Sequence, residues 1–387
     1  MAWNWCVNLA NYCELHIITE GEFRDKIENI LPILPQSKNM HFYYNPVSQE
    51  VRDMCWNQGD WRFYKYYRKW QWKTYEIAQE ICRCKHIDIL HQLNMIGFRE
   101  PGYLWKISDI PFVWGPIGGL KQFPEAYLKN AGWKIRLFNK LKNRINVYQI
   151  KHDKRVTAAL HRATVLISSI PDSYNAIKRY HHLDSVLIPE TGCFISDDLP
   201  TERFFEEKLH AMWVGKFDFR KQLPLAIHAI ARANNPNIIL DVYGTGSDAQ
   251  IKKAKQLVQS LNIEKQIVWH GNQSHSVVMQ AMKEAQLFLF TSVSEDTSTV
   301  VLEAISNRLP VLCFNVCGMA SVIDEKVGYK VELSIPQQSI NDFADALNKF
   351  EKNRNLLKEY SLNCKVRQQE LSWDSKIKQM VKLYQKI

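Results

Sequence analysis

The stretch Leu287-Phe-Leu-Phe-Thr-Ser-Val-Ser-Glu295-Asp-Thr-Ser-Thr299-Val-Val-Leu-Glu303-Ala304 joins an apolar run to a polar loop and then to a segment of helical period. Strand, loop and helix in that order is the repeating unit of a parallel sheet, because parallel strands need a crossover that buries a helix face on the sheet. Outward from here the unit recurs. Residues 209–214 read as a strand stopping at Gly215, 223–233 as a helix, 238–243 as a strand ending at Gly244-Thr-Gly246, and 248–261 as a helix. Strands at 267–270, 287–291 and 310–314 and helices at 276–285 and 299–306 complete the pattern. Toward the N-terminus the alternation is looser, with strands at 14–19, 86–90, 111–114, 164–168 and 185–189 and a helical period at 64–81. The reading predicts an α/β chain of two doubly wound domains facing one another, 1–200 and 201–372, joined through an irregular 189–210, with an amphipathic helix at 373–387.

Composition narrows the function classes. The chain has 387 residues, 46% hydrophobic and 23% charged, an ordinary globular balance that excludes a disordered or fibrous chain. No apolar run approaches the ~20 residues of a membrane span. The start Met1-Ala2-Trp3-Asn4-Trp5 lacks the basic and apolar regions of a secretory signal. Nine scattered cysteines, without zinc spacing at the close pairs Cys82/Cys84 and Cys313/Cys317, fit reduced thiols; a soluble cytosolic protein is expected. Fifty basic against 40 acidic residues leave a net charge of +10. Between 121 and 162 eleven Lys and Arg face only Glu125 and Asp153, so an anionic partner is expected there. Trp133, Leu137, Phe138 and Leu141 fall at helical spacing beside Lys134 and Lys140, which suggests an anionic membrane surface. The aromatics form no stacking platform and no recognition motif is present, which argues against nucleic acid.

The chemistry concentrates at strand ends. The loop carries Glu295, and the unpaired backbone N–H groups of Ser298, Thr299 and Val300 at the following helix start make an anion site. Glu303 lies one turn further on. On residues alone, the alternatives are that the two glutamates cap the helix start or form a glycosidase pair, which needs carboxyls roughly 5–9.5 Å apart. The second signal is Val214-Gly215-Lys216-Phe-Asp-Phe-Arg220-Lys221, where a strand-end glycine admits a ligand and cations follow. No Asp-x-Asp pair occurs in the chain, so Lys216 and Lys221 would neutralise a leaving diphosphate in place of a metal. A solvated cationic loop is the alternative.

These residues resemble the donor domain of retaining GT-B glycosyltransferases of family GT4, over about 212–331. Gly215-Lys216 stands for that family's Gly-Arg, Lys221-Gln222 for its Lys-Gly, Glu295 and Glu303 for its Glu-x7-Glu, and Cys317-Gly318 for its Gly-Gly. Lys at 216 keeps the charge but loses the guanidinium fork. The resemblance implies that Glu295 faces the donor sugar, Glu303 holds the ribose, and the two lysines hold the diphosphate, with His270 also on the donor side. It implies no metal and no cofactor, since the nucleotide-diphosphate sugar is a co-substrate. The acceptor would be a saccharide or lipid-linked saccharide, at the inner face of the plasma membrane, in cell-surface polysaccharide assembly. The rival within the fold is a non-catalytic scaffold that binds a nucleotide sugar or a partner.

The first half departs from the family. The chain opens on what reads as the helix after the usual first strand and glycine-rich loop. The histidine that relatives carry after the 111–114 strand is missing, Trp114-Gly115-Pro116-Ile117-Gly118-Gly119 standing there instead. His91 is the substitute candidate, and Gly118-Gly119 is a candidate turn on the acceptor side. By resemblance, the 373–387 helix crosses back to the first domain.

Overall fold

The structure, a computed structural model, describes residues 1–56, 60–93, 95–129, 131–197 and 199–387. Its strand ladders are all parallel. In the first half β1 (Leu15–Thr19) pairs with β2 (Met40–Tyr44). The strands β3 (Leu90–Gln92), β4 (Phe112–Ile117), β5 (Val165–Ser168) and β6 (Val186–Leu187) make a second sheet in that order. The second half holds β7 (Leu209–Val214), β8 (Ile238–Tyr243), β9 (Ile267–Gly271), β10 (Leu287–Phe290), β11 (Val311–Phe314) and β12 (Gly328–Val331). Their order is β12-β11-β10-β7-β8-β9, a doubly wound sheet that reverses direction between β7 and β10.

The sheet of the second half is buried on both faces, which is why its strands read as continuous apolar runs rather than alternating ones. All four residues of β10 are buried. Leu287 and Leu289 join the core beneath the helix Leu223–Ala233, while Phe288 and Phe290 join the opposite core with Val301, Leu302 and Ile305. Burying such side chains contributes about 1.5–3 kcal/mol each, so both helix layers are held by the strand they sandwich.

One expected strand moves. Alternation at His86-Ile-Asp-Ile suggested a strand over 86–90, but the ladder forms over Leu90–Gln92. His86 and Asp88 instead pair with each other in solvent at 3.1 Å, where none of the described strands covers them. His91 therefore sits inside the sheet rather than at its end. Its Nε2–H donates to the Gly115 carbonyl at 2.7 Å, and its Nδ1 accepts from Tyr384 Oη. Both nitrogens are occupied, so His91 holds the last helix, Trp373–Tyr384, to β3 and β4 and has none left for a substrate. Trp5, Val113, Ile167, Trp373, Ile377 and Met380 form the apolar core of the same contact.

Burial lowers the His91 pKa from its ordinary 6.5 to about 4, with the Gly115 hydrogen bond opposing. The fold favours the neutral ring, so its contribution is complete above pH 6.5 and is lost as pH falls through the interval to about 4. The expected loss is at most on the order of 3 kcal/mol, since each tenfold change in proton affinity corresponds to ~1.4 kcal/mol. Urea melts at several pH values, run beside His91→Gln, check it: the variant should start less stable and lack this part of the slope. Parallel pH profiles for the two proteins would contradict the assignment.

Candidate active site

The sheet reversal places the loops after β7 and β10 side by side at the carboxyl edge, where doubly wound sheets bind ligands. The loop after β7 is closed by Asp218, whose carboxylate accepts from the backbone N–H of Arg220 and Lys221 in the turn Phe219–Lys221. That turn delivers two cations to Glu295. Lys221 Nζ lies 2.7 Å from Glu295 Oε1, and Arg220 Nη1 lies 3.0 Å from Oε2. Ser292 Oγ donates to Oε1 at 3.0 Å. The Glu295 residue is only 8% exposed, so its charge is compensated on both oxygens. Lys221 also lies 4.6 Å from the Phe290 ring centroid, which restricts its swing.

Two family positions written as glycine carry other residues here, yet the backbone keeps the shape glycine gives. Gln222 has φ 52° and Cys317 has φ 52°. Both lie in the left-handed region that non-glycine residues enter at a penalty.

The loop after β10 also reaches the other half of the chain, through residues that sequence reasoning missed. Asp296 Oδ1 accepts from the Gly119 N–H at 3.0 Å, and its carboxylate pairs with Lys121. A Cβ on Gly118 would lie 3.0 Å from Asp296 Oδ1, and one on Gly318 would lie 2.7 Å from the Asp296 carbonyl. The loop thus passes between two glycines, one from each half, and neither site has room for a side chain. Thr297 N–H donates to Glu190 Oε1 at 3.0 Å. Glu190 is buried, which pushes its carboxyl pKa up, with Thr297 opposing. Nearby, Lys376 donates to the Pro189 carbonyl, and burial lowers its ammonium to about 8. Glu190 and Lys376 therefore connect the chain crossing, the last helix and the loop after β10. Only their contacts mark them; no sequence pattern did.

The remaining candidates are less converged. Lys216 is exposed beyond Gly215. Ser298, Thr299 and Val300 stand at the start of the helix Thr299–Ser306, with Ser298 buried beside the glutamate loop. Glu303 accepts from His275 Nε2 at 3.0 Å and keeps a quarter of its side chain exposed, at 24%. His270 stacks on Tyr243 with centroids 4.1 Å apart and hydrogen-bonds Asp241 at 2.8 Å, and His210 holds the other Asp241 oxygen. His270 is thus engaged within its own sheet.

Trp133 to His152 form one helix that borders this junction. Its inner side carries Asn146, which donates to the Gly119 carbonyl, and Lys142, whose pKa burial lowers, with Lys121 and Arg99 adding to the effect. The outer side exposes Trp133, Leu137, Phe138, Leu141, Ile145 and Tyr148. Lys134 lies over the Trp133 ring and Lys140 lines a neighbouring cavity. Among the described residues no helix is long and apolar enough to cross a membrane.

The parallel sheets and the paired loops define a GT-B architecture. Residues 196–367 match the family model for glycosyl transferases group 1. A lipopolysaccharide 1,6-galactosyltransferase of Salmonella typhimurium is 32% identical over 143 residues, 36% of this chain and 38% of that protein. The alignment thus spans well under half of that curated relative. The lipopolysaccharide outer core galactosyltransferase WaaB superposes with a TM-score of 0.64 at 17% identity, over 96% of this chain and 99% of that one. Anabaena HepE in complex with UDP superposes with a TM-score of 0.63 at 13% identity, over 100% and 97% of the two chains.

Proposed function

We propose that this protein is a retaining glycosyltransferase. It moves a hexosyl group from a nucleotide-diphosphate sugar to a saccharide or lipid-linked acceptor in the assembly of a cell-surface polysaccharide such as lipopolysaccharide. The observation that carries the reading is the Glu295 carboxylate held by Lys221 and Arg220 at the sheet reversal. A donor diphosphate arriving there competes for the two cations, which then stabilise the charge that develops as the nucleotide leaves. Glu295, released from them, faces the sugar. The names of the 1,6-galactosyltransferase relative and of the UDP complex support a UDP-sugar donor.

The acceptor side follows from the junction. A cavity of about 320 Å³ is bounded by Leu120, Gln122, Asp172 and Arg179, and one of about 570 Å³ by Gln122, Lys140, Arg144 and Lys151. Gln122 and Val147 border both. The second cavity includes Tyr148 of the exposed apolar side of the helix Trp133–His152, and the first includes Leu120, the chain neighbour of Lys121. An acceptor whose lipid end rests at a membrane surface would reach the donor along this course.

The test is transfer from a panel of UDP- and GDP-sugars to lipid-linked acceptor, with thermal-shift binding on the same donors. Activity should survive EDTA, because Lys221 and Arg220 can compensate the diphosphate charge without a metal. Glu303→Ala should weaken nucleotide binding by roughly 10–100-fold, since even one charge-assisted bond to a ribose hydroxyl contributes about 1.5–3 kcal/mol. Binding without transfer for every donor would favour the scaffold reading, and unaltered nucleotide affinity in Glu303→Ala would remove the ribose role.

A further inference from the structure

Glu14, His16 and His41 form a cluster that the transferase reading leaves unused. Strand alternation puts Glu14 and His16 on one face, and the parallel register sets His41 directly opposite His16. The two imidazoles stack with centroids 4.9 Å apart. Glu14 Oε1 lies 2.9 Å from His41 Nε2 and 3.9 Å from His16 Nε2. One ligand atom from each of the three lies within 4.8 Å of the others, the one such group among the described residues.

We propose that Glu14, His16 and His41 bind a divalent transition ion of the zinc class, which ties β1 to β2. Two ligands at ~2.0–2.1 Å from a tetrahedral centre stand about 3.3 Å apart. The observed 2.9 and 3.9 Å bracket that value and the third separation lies within 4.8 Å, so side-chain rotations that tilt the two rings toward a common point complete the site. Two imidazoles and one carboxylate favour zinc, nickel or cobalt over magnesium or calcium, which take oxygen ligands. His16 Nδ1 lies 2.9 Å from Tyr43 Oη. With Nδ1–H donating to Tyr43, Nε2 presents its lone pair to the ion, the usual outer support of a metal-bound histidine. The ion displaces the proton now shared between His41 and Glu14, and that proton leaves to solvent. Lys85 is close enough to His16 to oppose a cation, and the Glu14 carboxylate offsets it.

Placement indicates a structural role. The cluster lies at the amino ends of β1 and β2, whereas the sugar chemistry lies at carboxyl ends. A two-stranded sheet is marginal by itself, and β1 and β2 share no ladder with the other described strands. A cross-strand ion would add what a third strand otherwise supplies.

The experiment titrates chelator-treated protein, alkylated at the exposed thiols Cys55 and Cys84, with Zn²⁺ by calorimetry and with Co²⁺ by absorption. One equivalent should bind, with Co²⁺ ligand-field bands and no thiolate charge-transfer band. His41→Gln should weaken Zn²⁺ binding at least 10-fold, Glu14→Gln several-fold, and Tyr43→Phe about 10-fold. His41 and Glu14 are 43% and 64% exposed, so the first two variants fold. Zn²⁺ should raise the unfolding midpoint of the wild type but not of His41→Gln. Equal Zn²⁺ affinity in wild type and His41→Gln, or a Co²⁺ spectrum dominated by thiolate, would overturn the site.

Discussion

Lys221→Ala is expected to slow sugar transfer about 10²–10³-fold at saturating donor, the usual effect of removing one preorganised electrostatic stabiliser from a closed site. The geometry explains why the effect is large and why it falls on turnover. Lys221 is held at the sheet reversal by Glu295 at 2.7 Å and by the Phe290 face, so its ammonium already stands at the site and has only to turn from the carboxylate when the diphosphate arrives. Arg220, on the other Glu295 oxygen, remains and keeps the carboxylate compensated, which limits the damage to the fold. Donor affinity should therefore fall much less than kcat. Lys221→Arg should recover part of the rate, because charge is kept while the point-like ammonium is replaced by a wider fork. Glu295→Gln belongs to the same experiment: it keeps the shape, removes the charge facing the sugar, and should reduce kcat with donor binding nearly intact. Circular dichroism and melting curves on each variant separate lost chemistry from lost structure. If Lys221→Ala retains wild-type kcat, the lysine is only a partner of Glu295 and the departing diphosphate is stabilised elsewhere.

Much of the second half was legible because its physics is local. Strands buried on both faces read as apolar runs, and glycine or serine at their ends marks where backbone meets ligand. Residues 209–214, 223–233, 238–243 and 299–306 emerge with the bounds read from the sequence. The first half was harder. His86-Ile-Asp-Ile alternates like a strand, with Ile87 and Ile89 against the core and His86 and Asp88 in solvent, yet it joins no ladder among the described residues. Alternation records which residues share a face, not whether a strand pairs alongside. His91 is similar: a histidine near a strand end suggests chemistry, and only its two partners, 24 and 293 residues away, show that it ties elements together. In the candidate site Glu295 and Lys221 stood out from sequence, whereas Asp296 and Glu190 did not. Their meaning depends on contacts across the junction, to Gly119, Lys121 and Thr297, which no local pattern encodes.

The second large effect is expected at the helix Trp133–His152. Six large apolar side chains on one helix, with Trp133 70% and Phe138 64% exposed, form a stripe that water solvates poorly. Lysines at 134 and 140 flank it without acids nearby. Attraction of each cation to an anionic leaflet contributes about 1 kcal/mol and is screened, whereas insertion of the aromatics is not. The two contributions should separate. The protein should sediment with anionic vesicles at low salt and leave them near ~0.5 M salt, where screening shortens to roughly 4–5 Å. Trp133→Ala with Phe138→Ala should weaken binding about 10–100-fold without changing its salt slope, from partial loss of ~1.5–3 kcal/mol for each buried side chain. Lys134→Glu with Lys140→Glu should instead flatten the slope. Trp133 and Phe138 line neither cavity, so in their double variant transfer to a water-soluble acceptor should stay near wild type while transfer to a vesicle-borne one falls. Equal partition onto neutral and anionic vesicles, or none onto either, would make the stripe something other than a membrane surface.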